Sequence, residues 1–167
     1  MVQDEVVGKI VSALADALPA TRSPPRRRTT SLEAYDLFVR GRSLALQSPQ
    51  AARAARSLLQ RAIALDPDFA EAYAELALSH HSGCLYYGEP PEEHRPLARS
   101  MAQQAVSLDP NNVDAHLTLG YLRAYDGELA DGVAEYEKGL HINPNHDGGW
   151  NILAALRVLE GRAGRGN

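Results

Sequence analysis

A single cysteine, Cys84, stands in the whole chain, so no internal disulfide is available, and a lone thiol suits a reducing compartment. The cytoplasm is the expected location. Aromatic residues are scarce, at 6% of 167 residues, while Ala and Leu abound, a composition suited to helices that approach closely through small side chains. No apolar run reaches the ~18 residues a membrane span needs, so no membrane association is expected. The N-terminus places Asp4 and Glu5 ahead of its apolar stretch, the reverse of the basic start of a secretory leader. Positive charge is also short: the net charge of −4 offers no general attraction to nucleic acid, and no nucleic-acid partner is expected. Phosphate-cradling, dinucleotide and nucleophile-elbow motifs are all missing. The sequence therefore reads as no enzyme, with no cofactor.

What the chain does contain is a period. Pro-ended segments recur at Leu65–Pro67, Leu108–Pro110 and Ile142–Pro144, at intervals of 43 and 34 residues. The shorter interval is that of a helix–turn–helix repeat, and the longer one is the same unit with an insertion. Within the unit from Val113 to His146, apolar residues recur at Leu119, Leu122 and Tyr125, then at Leu129, Val133, Tyr136 and Leu140. This is three-and-four spacing on either side of a polar break at Asp126–Glu128, which predicts two amphipathic helices in tandem. Gly120, Gly132 and Gly139 fall inside those helices, where each glycine costs about 1 kcal/mol relative to Ala, so close packing must justify them.

The rest of the chain is organised around this array. Gln3 to Leu18 places Val7, Ile10, Val11, Leu14 and Leu18 on one helical stripe, which either packs on the first repeat or serves as a dimerisation or interdomain helix. Residues 19–30 form a Pro-rich linker carrying Arg26, Arg27 and Arg28, a solvated spacer given the acidic balance of the whole. Thr30-x-x-Glu33 spells a capping box that predicts a helix from about Ser31, and Ser48–Pro49 starts the next. The repeat domain spans 31–160, with a flexible tail at 161–167. The insertion is placed at Ser82–Glu92 as a loop, with Cys84, Leu85, Tyr86 and Tyr87 either covering a gap in the core or forming a binding surface. His80, His81, Cys84 and His94 resemble a metal set by type, but their spacing fits no zinc pattern and no metal site is assigned. The acidic pairs Glu92–Glu93 and Glu135–Glu137 are read as solvent-facing.

Leu119 and Gly120, followed by Gly132, Tyr136, Gly139 and Pro144, resemble the tetratricopeptide repeat (TPR) family, with His116 where that family favours Trp. An earlier copy reads Tyr73, Leu76 and Ala77, then Ala98, Ala102, Ala105 and Pro110. A later one begins with Trp150, Leu153 and Ala154. A looser copy has Tyr35 and Phe38, then Ala55, Leu59, Ala62 and Pro67. The resemblance implies an all-α, right-handed superhelix of antiparallel helix pairs whose first helices line a concave groove. By that family's geometry the lining is Glu71, Ala74 and Leu78, then Asp114, Leu117 and Tyr121, then Asn151 and Ala155. Where chaperone-binding members of the family place carboxylate-clamping residues, this chain has Ala74, Leu78, Thr118, Gly148 and Ile152. The expected ligand is instead a peptide or helix with apolar anchors and basic flanks.

The strings Gln3–Leu18 and Ala34–Arg42 are similar to the segment that joins a TolB-like region to C-terminal repeats in bacterial class III adenylate cyclases and winged-helix regulators. That resemblance implies a scaffolding or sensory part of a larger signalling protein. The alternative is a ligand-sensing or oligomerisation module controlling a cyclase or DNA-binding output domain. Either other domains of the parent protein or a second copy, joined as a homodimer through the terminal helices, could fill the groove.

Overall fold

A computed structural model describes residues 29–163. The N-terminal amphipathic stripe and nearly all of the Pro/Arg-rich linker lie outside the described residues. All regular structure among the described residues is helical: α1 (Leu32–Leu44), α2 (Pro49–Leu65), α3 (Ala70–Tyr87), α4 (Pro91–Leu108), α5 (Val113–Tyr125), α6 (Leu129–Ile142) and α7 (Gly149–Ala163). Each helix packs on the next, and α3 also packs on α5. Neighbour and next-neighbour packing of this kind is that of a solenoid, in which no helix pair shelters its own apolar face.

The Pro period has a local cause. Asp66, Asp109 and Asn143 each end a helix with extended backbone, and each amide still bonds to the carbonyl four residues back, at 3.0, 2.8 and 3.0 Å. Each side-chain oxygen then accepts from the amide two residues on, Asp68, Asn111 and Asn145, at 3.2, 3.0 and 3.2 Å. The intervening Pro cannot extend a helix and biases the preceding residue towards extended backbone. The side chain closes the turn, so one device is used three times. Helix starts follow familiar chemistry as well: Ser48 accepts from Ala51 N at 3.1 Å with Pro49 at the first helical position, and Asn112 accepts from Ala115 N at 3.0 Å. At α1 the cap is one residue later than the Thr30 box requires. Ser31 Oγ accepts from Ala34 N at 3.2 Å, and Thr29 Oγ1 accepts from the Ser31 amide.

Small residues let the helices close up. A Cβ on Gly120 would lie 2.7 Å from Gly132 O, and one on Gly132 would lie 2.7 Å from Gly120 O, so α5 and α6 touch backbone to backbone there. Between α3, α4 and α5 the core is thin: Ala74, Ala105 and Ala115 form one cluster, and Ala77, Ala102 and Leu119 another. Bulk is concentrated at the two ends, in Leu37, Phe38, Leu59 and Phe69 and in Val133, Tyr136, Leu140, Leu153 and Leu156.

The insertion is not a loop. Helix α3 starts the same distance after Pro67 as α5 does after Pro110, yet it has 18 residues against 13. Helix α4 ends in register with α6 but has 18 against 14. The extra residues therefore lengthen the far end of one helical hairpin, and only Gly88–Pro90 connect it. Cys84–Tyr87 are the last turn of α3. Gly88 closes that turn with a positive φ of 66°, and the Gly88 and Glu89 amides both reach back to Gly83 O. At the other end, α7 continues to Ala163, so Gly161–Ala163 are helical and not part of a tail.

Candidate functional site

The first helices of successive pairs, α3, α5 and α7, line one concave side. Between them lies a cavity of about 360 Å³ bounded by Leu78, His81, Ser82, Leu85 and Tyr86 of α3 and by Asp114, Leu117, Thr118 and Tyr121 of α5. Tyr136 forms its floor, and His146, Asp147, Gly149 and Ile152 form its far wall. The expected groove residues Leu78, Asp114, Leu117 and Tyr121 are thus brought together. Ala74 is not part of the lining: it is 2% exposed and packs against Ala105 and Ala115. Glu71 belongs to a neighbouring cleft of about 50 Å³ with Asp109, Asn112, Val113 and Asp114. Asn151 and Ala155 border a second cavity of about 630 Å³ between α5 and α7, which also takes in Tyr121, Tyr125, Ile152 and Leu159.

Leu85 and Tyr86 remain 38% and 69% exposed while lining the cavity, so they do not plug a gap in the core. Cys84 and Tyr87, on the same turn, are half-buried, and burial pushes the Cys84 thiol up, away from the thiolate that a nucleophile would need. An aromatic ladder crosses the concave side. The His81 ring meets Tyr121 edge-on at 4.5 Å, Tyr121 stacks on Tyr125 at 5.0 Å, and the Arg95 guanidinium covers Tyr125 at 4.7 Å. Burial, then the hydrogen bond with Tyr125, pushes the Tyr121 hydroxyl up to about 12. Burial and the Arg95 charge hold His81 down at about 4, so its ring is neutral at physiological pH.

Behind this wall lies a polar cluster of which the sequence marks only His80 and His94. Arg56, 7% exposed on α2, donates to Glu89 Oε1 at 2.6 Å and to Ser79 O at 3.2 Å. His80 and His94 meet Nδ1 to Nδ1 at 2.8 Å, and His94 Nε2 lies 3.6 Å from Glu89 Oε2. The two nearest histidine nitrogens share one hydrogen bond, and the carboxylate faces the other side of the His94 ring. The described residues hold no group of three or more His, Cys, Asp or Glu side chains placed to bind a metal ion. Burial opposes ionisation of Glu89, but the hydrogen bond and charge of Arg56 win and hold its carboxyl below the ordinary range.

One further expectation changes. Glu135 does not face solvent freely: His116 Nδ1 binds its Oε2 at 2.7 Å, and Lys138 binds Oε1 at 2.9 Å. His116 Nε2 also reaches Pro110 O at 2.9 Å, so at the family's Trp position a 5%-exposed histidine ties α6 to the turn before α5. Helix α7 buries Leu153 and Leu156 but leaves Trp150, Ile152, Val158 and Leu159 exposed, with the Trp150 indole donating to Pro144 O at 2.7 Å. No helix of the described residues is long and apolar enough to cross a membrane.

Comparison with known proteins gives a short sequence match and broad structural ones. No protein-family model matches the chain. A putative adenylate cyclase 3 of Rhizobium meliloti (strain 1021) is 41% identical over 80 residues, which cover 46% of this chain and 14% of the cyclase. The chain thus spans a small part of that relative's length. Among solved structures, the TPR domain of Sgt2 from Aspergillus fumigatus is similar at a TM-score of 0.69 and 20% identity, over 85% of this chain and 88% of that one. The first TPR domain of Spaghetti (RPAP3) bound to an HSP90 peptide is similar at 0.65 and 18%, over 81% and 98%. The Arabidopsis OM64 TPR domain is similar at 0.62 and 18%, over 75% and 94%. The repeated turn, the helix-pair stacking and these likenesses lead to one conclusion: the chain has the fold of tetratricopeptide-repeat domains.

Proposed function

We propose that this chain is a non-catalytic protein-interaction scaffold that takes a peptide or helical segment into the concave cavity between α3, α5 and α7. The observation that carries this reading is the cavity itself: about 360 Å³, open on one side, with Leu85, Tyr86 and Ile152 exposed around it. Apolar side chains left in water around a concavity favour an apolar anchor from a partner, since burying them recovers about 25 cal/mol per Å². The rigid helical walls lower the ordering cost of binding. A structural neighbour solved with a peptide bound supports the same mode of use.

The match to a putative cyclase supports placing the chain in a larger bacterial signalling or regulatory protein in the cytoplasm, where the array would recruit partners or hold other domains. The same match favours a second reading, a sensing or oligomerisation module that controls a cyclase or DNA-binding output domain. Panning a library of random phage-displayed peptides against the full chain tests the first reading. Peptides that enrich on the wild type should weaken at least about tenfold against Ile152→Glu, which puts a charge on the cavity wall at an already exposed position. Equal binding to both proteins would remove the cavity as the site.

A further inference from the structure

One end of the cavity differs from the rest in charge. Asp114 and Asp147 line it, and Asp114 is shared with the adjoining cleft that holds Glu71 and Asp109. No Lys or Arg lines either space, and the side chain paired with Asp114 is the imidazole of His146, whose Nε2 lies 3.6 Å from Oδ1. Among the described residues neither Glu71 nor Asp147 forms an ion pair, and the Asp109 carboxylate accepts only the Asn111 amide of its own turn. The Oε2 atom of Glu71 is shut off from solvent and accepts no hydrogen bond, and His146 Nδ1 is in the same condition.

Part of this has a local explanation. Glu71 and Asp114 sit in the first turns of α3 and α5, where the helix dipole favours carboxylates. That effect stabilises a carboxylate facing water, but it does not supply the donor that a solvent-excluded Glu71 oxygen lacks. It also leaves Asp109, at the end of α4, outside its reach. Asp114 and Asp147 are exposed, and carboxylates gathered beside an apolar wall with no Lys or Arg among them attract a cation more strongly than the same charges spread apart.

We infer that the occupant of the cavity is a peptide segment in which an apolar anchor is followed or preceded by a Lys or Arg side chain. The anchor fills the space between Leu117, Tyr121 and Ile152, and the cation settles among Glu71, Asp109, Asp114 and Asp147. This rests on the groove reading above and adds the partner's charge. It also turns away segments ending in acidic residues and a free carboxylate, which would meet like charge and no basic side chain.

The panning experiment separates the two ideas by its second readout, the composition of the enriched peptides. Lys and Arg should be over-represented beside the apolar anchor. Synthetic copies with those residues replaced by Gln should bind the wild type about tenfold more weakly, and the loss should shrink as salt is raised. The near-isosteric pair Glu71→Gln and Asp114→Asn should weaken the basic peptides by a similar factor and leave the Gln-substituted peptides unchanged, the signature of direct coupling. The peptide arm decides the matter even where a protein variant is unstable.

Enriched peptides without an excess of Lys or Arg, or requiring a free C-terminal carboxylate, would overturn the cation site. Those peptides would still depend on Ile152 if the groove reading stands. An absence of enrichment, or enrichment indifferent to Ile152→Glu, would overturn both.

Discussion

Gly83 lies under the Glu89 side chain, and a Cβ there would overlap the carboxylate and come within 3.2 Å of Arg56 Nη1. Replacing it by Ala forces the Arg56–Glu89 pair apart inside a buried site, so Gly83→Ala should cost about 2–4 kcal/mol in urea unfolding despite Ala's better helix propensity. Adding Glu89→Ala on top should recover little, because Arg56 would then be a buried charge without its partner. None of this was legible in the sequence: Arg56 reaches partners 23 and 33 residues away, and a lone Arg on an Ala-rich helix carries no mark of burial. The same cluster sets a pH response. Burial first, then the charges of Arg56 and His94, hold His80 at about 4 against the pull of Glu89, and burial and Arg95 do the same for His81. With folded values below the ordinary 6.5, both rings contribute stability fully above pH 6.5 and lose it as pH falls towards 4. Each is worth on the order of 3 kcal/mol across that interval. Unfolding free energy followed by circular dichroism should fall steeply there, and His80→Gln should flatten the slope.

At the level of elements, the three Asp/Asn–Pro turns could be read directly, because proline geometry and a short acceptor side chain act within four residues. Asp109→Ala removes the bond to the Asn111 amide between α4 and α5 and should cost about 1 kcal/mol in the same assay. Leu122→Ala, at a side chain 1% exposed in α5, should cost about 2–5 kcal/mol. The extended hairpin was misread as a loop because Ser82, Gly83 and Cys84 are weak helix formers and Pro90–Pro91 follow closely. Distant contacts, Arg56 to Ser79 O and Glu89 over Gly83, hold those turns in place, and local propensity does not register them. The groove was half legible for a related reason. The resemblance to the repeat family placed Leu78, Asp114, Leu117 and Tyr121, whereas the burial of Ala74 and the offset of Asn151 and Ala155 depend on helix lengths and packing that the family's pattern does not encode.

For the whole molecule, stability passes from one helix pair to the next, with bulky clusters at the ends and alanines between. Leu140→Ala, at a side chain buried between α6 and α7, should therefore raise amide hydrogen exchange in those two helices well before it does so in α1 and α2. Uniform loss of protection along the chain would contradict a modular array. The overhang of α3 has a consequence for such an array. A row of identical modules presents every offset as equivalent, so a strand lying along it could shift by one module at no cost. Five surplus residues, about 7.5 Å of helix, break that translational degeneracy at one point. With the exposed Tyr86 of that overhang lining the cavity, one module offers a contact that its neighbours do not.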